Sequence, residues 1–315
     1  NGGNNEMSKA VIVEAVRTPS GRRNGKLKDL HPTELAAAVL KEVVQRAGIE
    51  PARVDDIVMG CVLPAGDQGL NIARNSVLLA GFPVEVPATT VDRQCGSGQQ
   101  AVHFAANLIE TGVCDIVIAG GVESMNRVPM GSTRSINGQG YPFTPELLSR
   151  YPITSMGIAA EVIAERWGLT RAELDEYSVR SHRLAHQAAS EGRFRREILP
   201  VQVTVDGVAE VVEIDETIRA NTTMEALANL KPAFKEDGLV TAGNSSPISD
   251  GAAALLLMSS DRAKALGLRP RARLVAQLVV GVDPVIALTG PIPATPRILK
   301  KAGMCLQDID LFEVN

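Results

Sequence analysis

No apolar run in this sequence is long enough to span a bilayer, so membrane insertion is not expected. Positive charge is not in excess either: the formal net charge is −4, which argues against a chain built to coat nucleic acid or an anionic membrane. Cysteine is scarce, with four residues and no paired spacing. That excludes a disulfide framework and points to a reducing compartment, the cytoplasm. There are four histidines, and only His182 and His186 stand four apart; with no Glu or Cys beside them in a metal-binding order, no metal site is expected. No signal peptide follows Met7, and the residues before it, Asn1 to Glu6, look like an expression remnant.

What is present is a globular balance, 45% hydrophobic and 22% charged over 315 residues, enough for one large or two ordinary domains. The chain is organised around Ala88-Thr-Thr-Val-Asp-Arg-Gln-Cys95-Gly-Ser-Gly-Gln-Gln-Ala101. A β-branched run ends at Val91, and apolar residues at helical spacing run from Ala101 to Ile109, so Cys95 falls at a strand-to-helix junction. Free N–H groups and the positive end of a helix dipole favour a thiolate there, the form that attacks carbon. Gly96 and Gly98 clear side chains from around the sulfur, and the geometry resembles the strained elbow that presents other nucleophiles. The alternative is a small buried hydrophobe at a tight turn. Cys61, Cys114 and Cys305 read as structural.

Taken in order, the pattern predicts a strand over 9–16, a helix over 33–47 stopped by Gly48, a strand over 56–62 and a helix over 71–80. After these come strands at 88–91 and 115–119, on either side of the Cys95 helix. Unalternating strands separated by helices imply a parallel sheet covered on both faces. Residues 126–154 read as a long irregular excursion. Helices over 156–167 and 170–190, a hairpin around Asp206-Gly207 and a short helix over 221–229 follow. The cluster Arg193, Arg195, Arg196 reads as a solvated basic face, as do Arg22, Arg23, Lys26 and Lys28. A second conspicuous corner, Thr241 to Gly251, offers small side chains, hydroxyls and N–H groups ahead of the buried run 252–258; alone, it would read as an ordinary capping loop. Further on, the pattern predicts a short helix over 263–267, a strand over 272–281, a helix over 293–302 and a strand over 309–314.

Ala47-Gly48 and Ala302-Gly303 lie 255 positions apart (302 minus 47), and at the same offset Val54 meets Ile309 and Asp55 meets Asp310. A helix, a glycine stop, a loop and a strand thus occur twice, which suggests two related halves. A last strand without its following helix leads us to expect that the chain is cut short.

With both corners in hand the chain resembles the thiolases, acyl-CoA acyltransferases that make or break 3-ketoacyl-CoA. The resemblance is carried by Asp92-Arg-Gln-Cys95-Gly-Ser-Gly-Gln-Gln, Ala119-Gly-Gly-Val-Glu-Ser-Met125, Ser155-Met-Gly-Ile-Ala-Ala-Glu161, Ala242-Gly-Asn-Ser-Ser-Pro-Ile-Ser-Asp-Gly251, Gly290-Pro-Ile-Pro293 and Asp310-Leu-Phe-Glu-Val-Asn315. It implies a five-layered αβαβα fold of duplicated halves: residues 8–121 with 245–269 as the nucleophile half, 122–244 as an inserted loop domain, and 270–315 as the start of an incomplete second half. It implies Cys95 as the acylated residue and Asn315 as the residue orienting a water in an oxyanion hole. Met156 and Phe234 would form walls of the pantetheine tunnel, Ala242, Gly243 and Ser246 the loop holding that arm, and Arg219 would lie near the adenine end. Coenzyme A and acyl-CoA are then substrates, no prosthetic group is expected, and the protein would be a homodimer or homotetramer.

The family's Gly-His-Pro segment, whose His activates the nucleophile, and its second cysteine have no counterpart before Asn315, so the 315 residues by themselves are not expected to catalyse thiolysis. Gln99 and Ala287 depart from the residues of better-known members, which leaves acyl length open. A ketoacyl synthase would share the cysteine but not the Gly243-to-Asp250 loop; a silent CoA or lipid carrier would keep the loops and lose the chemistry.

Overall fold

The structure, a computed structural model, describes residues 9–134 and 140–315. In chain order the elements are β1 (Ala10–Arg17), β2 (Gly21–Arg22), α1 (Pro32–Ala47), β3 (Asp56–Gly60), α2 (Ile72–Leu79), β4 (Ala88–Val91), α3 (Ser97–Glu110), β5 (Ile116–Ser124), α4 (Pro145–Arg150), α5 (Met156–Trp167), α6 (Arg171–Ser190), β6 (Val201–Val205), β7 (Val208–Val212), α7 (Met224–Ala228), β8 (Ser249–Ser259), α8 (Ser260–Ala265), β9 (Ala272–Arg273) and α9 (Pro291–Ala302). The described residues divide into two compact units, one made of 9–134, 140, 188–217 and 248–274, the other of 141–187, 218–247 and 275–315.

The first unit is built on one sheet in the order β4-β3-β5-β8-β1-β9, with β2 paired to β8. Strands β4, β3 and β5 are parallel, as the pattern predicts for strands separated by helices. The sheet as a whole is mixed, because β8 runs antiparallel to both β5 and β1. An apolar run of β8's kind announces burial on both faces but carries no signal of direction. The pleat sorts the side chains: Ile57 and Met59 join α1 and α2 and the valines 201, 203 and 212 of the β6–β7 hairpin on one face, while Val58 joins Ala101, Ala105, Ala106 and Ile109 of α3 on the other. Alanines at 101 and 105, one turn apart, let α3 lie close to the strands.

The two copies of the internal repeat share their local geometry. Helix α1 ends at Gly48 (φ 65°, ψ 31°) and α9 at Gly303 (φ 67°, ψ 30°), each in the left-handed conformation open to glycine at low cost. A single 3₁₀ turn follows each, at Pro51–Arg53 and Leu306–Asp308, at the same offset. Beyond that turn the copies differ: residues 56–60 form β3, whereas the expected strand over 309–314 is not formed, and the one expected over 272–281 is reduced to β9. An apolar run becomes a strand only where a neighbouring ladder satisfies its backbone, and among the described residues these two have none. The stretch 126–154 is less irregular than expected, since Thr144 and Pro145 start α4 there; residues 135–139 of that stretch lie outside the described residues. No helix among the described residues is long and apolar enough to cross a membrane.

In the second unit, α5 and α6 carry the structure. Four apolar side chains are buried there among the described residues, Ala159, Ala164, Leu227 and Val240, together with the polar Glu161, Asp175, Thr241 and Thr289.

Candidate active site

Cys95 is exposed in the corner between β4 and α3. That corner is held from both sides. The Asp92 carboxylate accepts from the Gln94 N–H (2.7 Å), and the Ser97 hydroxyl accepts from the Arg93 N–H (2.9 Å) while donating to the Gln94 carbonyl (2.5 Å). Gln94 itself sits at φ +48°, a left-handed conformation that costs a non-glycine residue about 1 kcal/mol and is found disproportionately at active sites. The expected strained elbow is therefore present, with its strain one residue before the sulfur.

Beneath the corner lies Gly60, the last residue of β3. A Cβ there would fall 2.4 Å from the Ser97 carbonyl carbon and 2.5 Å from the Gly98 nitrogen, so the first turn of α3 rests directly on bare backbone. Gly60 pairs with Val91 on one side and Gly121 on the other, which puts the start of α3 above the carboxyl ends of three parallel strands. Open α/β sheets keep their sites at such ends. Helix α3 starts two residues after the sulfur; its Ser97 N–H already donates to the Gln94 carbonyl (3.0 Å), and the remaining N–H groups of a first helical turn are ones from which an anion gains.

The other thiols differ sharply. Cys61 is buried, and burial, with the nearby Glu123 charge second, pushes its thiol up to about 12; Cys114 is also raised, chiefly by burial. Both are held as unreactive thiols at neutral pH. Cys305 is exposed and its Sγ donates to the Asp308 carboxylate at 3.1 Å.

Under the same strand ends is a polar cluster that the sequence reading did not single out. The Glu123 carboxylate accepts from the Val62 N–H (2.8 Å) and from Gln68 Nε2 (2.6 Å), and Gln68 Oε1 accepts from the Ser124 N–H (2.7 Å). Burial raises the Glu123 carboxyl above its ordinary value. The cluster ties the segment after β3 to the end of β5. At that end Asp250 binds the Ser124 hydroxyl (3.3 Å) and both the backbone (3.0 Å) and side chain (2.6 Å) of Asn126. Nothing in the spacing of residues 61, 68 and 123 announces this; it depends on which strands are neighbours.

The remaining candidates, Asn315, Met156, Arg219, Phe234, Ala242, Gly243 and Ser246, belong to the second unit. Met156 opens α5 and is 48% exposed; Phe234, 45% exposed, lies against the next residue, where a Cβ on Gly157 would meet its ring at 2.1 Å. Two half-exposed apolar side chains therefore share one end of α5. Ala242 and Ser246 are exposed on a loop whose backbone is fixed by Asn244: its Oδ1 accepts from the Thr241 N–H (2.8 Å) and its Nδ2 donates to Asp175 (3.0 Å). Asp175 is 2% exposed and pairs with Arg171 (2.7 Å), whose guanidinium also donates to the carbonyls of Leu227 (2.5 Å) and Leu230 (3.1 Å). Glu161 of α5 accepts from the Leu239 and Val240 N–H groups (2.9 and 2.8 Å). Buried carboxylates on two helices thus anchor the 239–246 loop. Arg171 and Asp175 carry a readable i, i+4 spacing, but only the fold reveals their burial.

Arg219 is exposed, and its N–H donates to His182 Nδ1 at 3.2 Å, which requires a neutral ring at that nitrogen; burial, with Arg219 second, lowers the His182 pKa. Asn315 is exposed at the last residue. Among the described residues no group of three or more His, Cys, Asp or Glu could hold a metal ion.

Comparison with known proteins bears directly on these corners. The thiolase N-terminal domain matches residues 10–261 and the thiolase C-terminal domain residues 268–315. A 3-ketoacyl-CoA thiolase of Bacillus subtilis is 45% identical over 98% of this chain and 81% of its own length, and one of Marinobacter nauticus is 44% identical over 97% and 78%. The crystal structure of the Bacillus anthracis acetyl-CoA acetyltransferase superposes with a TM-score of 0.89 at 43% identity, covering 99% of this chain and 81% of that one. Two domain matches that together run from β1 to the last residue, and a superposition of that quality, leave one assignment: this chain has the thiolase fold and belongs to the thiolase family.

Proposed function

We propose that the protein is a thiolase that transfers acyl groups between CoA thioesters through an acyl-cysteine at Cys95. The observation that carries the role of Cys95 is its place: an exposed thiol at a strained elbow, over glycine backbone, at the amino end of α3. In the degradative direction the thiolate attacks the 3-keto carbon of a 3-ketoacyl-CoA. The bond between that carbon and C2 breaks, acetyl-CoA leaves once its carbanion takes a proton, and the acyl group stays on sulfur. A second CoA thiolate then attacks the thioester and frees Cys95. Both steps pass through an oxyanion that fixed N–H donors stabilise, typically worth a hundredfold or more per donor. In the biosynthetic direction the acyl group passes to the carbanion of acetyl-CoA.

Coenzyme A and acyl-CoA are substrates, with no prosthetic group. Met156 and Phe234 form apolar walls for the pantetheine arm, Ala242, Gly243 and Ser246 the loop beside it, and Arg219 the adenine end. Support for the walls comes from the two apolar side chains held half-exposed on one end of α5. We assign Asn315 to orienting a water in the oxyanion hole by its position in the family's motif. Residues 122–244 are taken as the inserted loop domain, 8–121 with 245–269 as the nucleophile half and 270–315 as the start of the second. A homodimer or homotetramer is favoured by the outer side of β4, which is unpaired among the described residues, since sheet edges recruit partners. Four free thiols favour the cytoplasm.

Intact-mass measurement after incubation with acetyl-CoA tests the central claim. The expected result is one acetyl group, mapped by digestion to Cys95 and absent in Cys95→Ser; acetylation at another residue, or none, sinks it.

A further inference from the structure

Of the three arginines in the cluster at 193–196, Arg196 has a place that a solvated basic face does not explain. Together with Val13, Glu14, Arg46, Ala47, Leu268, Arg269, Pro270 and Arg271 it lines a cleft of about 520 Å³ in the first unit, on the β1 side of the sheet. The four guanidiniums come from three distant segments: the last turn of α1, the turn before β6, and the link from α8 to β9.

Two of them are fixed. Arg46 pairs with Glu42 (2.6 Å) and donates to the Arg196 carbonyl (2.6 Å), while Arg271 pairs with Glu14 and its backbone N–H donates to Ile12 (2.8 Å). Glu14, the carboxylate that lines the cleft, is therefore engaged, as is Glu42 beside Arg46. Arg196 and Arg269 have no carboxylate partner among the described residues, so two positive charges are left unbalanced at the mouth. Behind them the wall is apolar, formed by Val13, Ala47, Leu268 and Pro270. The opposing fields are the Glu14 carboxylate, which Arg271 pairs, and the carbonyl end of α1, which Gly48 and Ile49 cap by donating to the carbonyls of Gln45 and Val44. A planar donor fork is the group that recognises phosphate in two-point fashion, and a volume of this size suits a small ligand rather than a single ion.

We propose that this cleft binds a phosphorylated small molecule, its phosphate oxygens taken by Arg196 and Arg269 and any flat body laid on the Leu268–Pro270 wall. The site is separate from the Cys95 chemistry, so it stands or falls independently of the thiolase reading. The test is titration calorimetry at low ionic strength with inorganic pyrophosphate and with ADP, on the wild type and on Arg196→Ala/Arg269→Ala. Both side chains are exposed and without carboxylate partners, so the melting temperature of the double variant should match the wild type. Saturable binding is expected for the wild type, weakening as KCl rises. In the double variant it should fall at least about tenfold, the loss expected for one charged hydrogen bond or more. Steady-state thiolysis by the intact enzyme should be unchanged. Tighter binding of ADP identifies a nucleotide occupant, and equal binding a bare polyphosphate. No saturable binding by the wild type, or undiminished binding by the double variant, overturns the proposal.

Discussion

Of four cysteines Cys95 and Cys305 are exposed, Cys61 is buried and Cys114 is half-buried. The consequence is a difference in thiolate supply. With its pKa pushed up to about 12, Cys61 has almost no thiolate at pH 8, and raising the pH to 9 changes little. Iodoacetamide at pH 8 should therefore modify Cys95 first and leave Cys61 untouched until the chain is unfolded in urea. Peptide mapping over time checks this, and preferential label on Cys61, Cys114 or Cys305 would sink the assignment. In Cys95→Ser, acyl transfer by the intact enzyme should be abolished while CoA binding stays within about twofold, because the thiol is assigned to chemistry rather than affinity.

Among the elements, the junction of β3 with α3 sets where Cys95 stands. Gly60→Ala would drive a methyl group into the Ser97–Gly98 backbone, which cannot swing aside as a side chain could. We expect a loss of about 3 kcal/mol, at the upper end for overpacking, and slower alkylation of Cys95. The comparison is Gly48→Ala, where a Cβ meets nothing within 4 Å and the expected cost is only about 1 kcal/mol from its positive φ. Urea melts of the two variants separate crowding from backbone strain. In the second unit the corresponding joint is Asp175. Asp175→Asn keeps the volume but removes the charge opposite Arg171 and weakens the anchor on Asn244. The KM for CoA should rise severalfold with the Cys95 alkylation rate unchanged. A changed alkylation rate with an unchanged KM would count against the loop's assignment.

These elements also show what a sequence can and cannot say. Helix α5 was legible to the residue, because Ser155 caps it and Gly168 stops it, both local signals. The glycine stops of α1 and α9 were legible as a repeat for the same reason, while the loop expected after each is a 3₁₀ turn that the spacing did not specify. The antiparallel course of β8, the contact of Gly60 with α3 and the Glu123–Gln68 cluster were not, since each depends on which strands become neighbours. The run at 272–281, of which only 272–273 pairs, and the run at 309–314 were misread as full strands because hydrophobicity reports a wish for burial, and a strand further needs a hydrogen-bonding partner.

On the scale of the whole molecule the two units differ in what they bury. The first encloses a sheet between helices on both faces, with Ile57, Met59, Ile116, Leu256 and Met258 fully sealed. In the second, buried apolar side chains among the described residues are Ala159, Ala164, Leu227 and Val240, and buried carboxylates do much of the fastening. Each fully buried large aliphatic contributes about 1.5–3 kcal/mol, so the second unit has far less to lose before it opens. The only tryptophan, Trp167 at the end of α5, reports on that unit, and Cys61 reports on the core of the other. In a urea titration Trp167 fluorescence should change at lower denaturant than Cys61 becomes open to alkylation. Adding CoA at a hundredfold excess over its Kd should raise the first transition by about 2.7 kcal/mol of stability and leave the second in place, because the residues assigned to CoA lie in the second unit. Coincident transitions would mean that the chain unfolds as one cooperative body. A CoA shift seen at Cys61 alone would move the ligand's contacts out of the unit to which they are assigned.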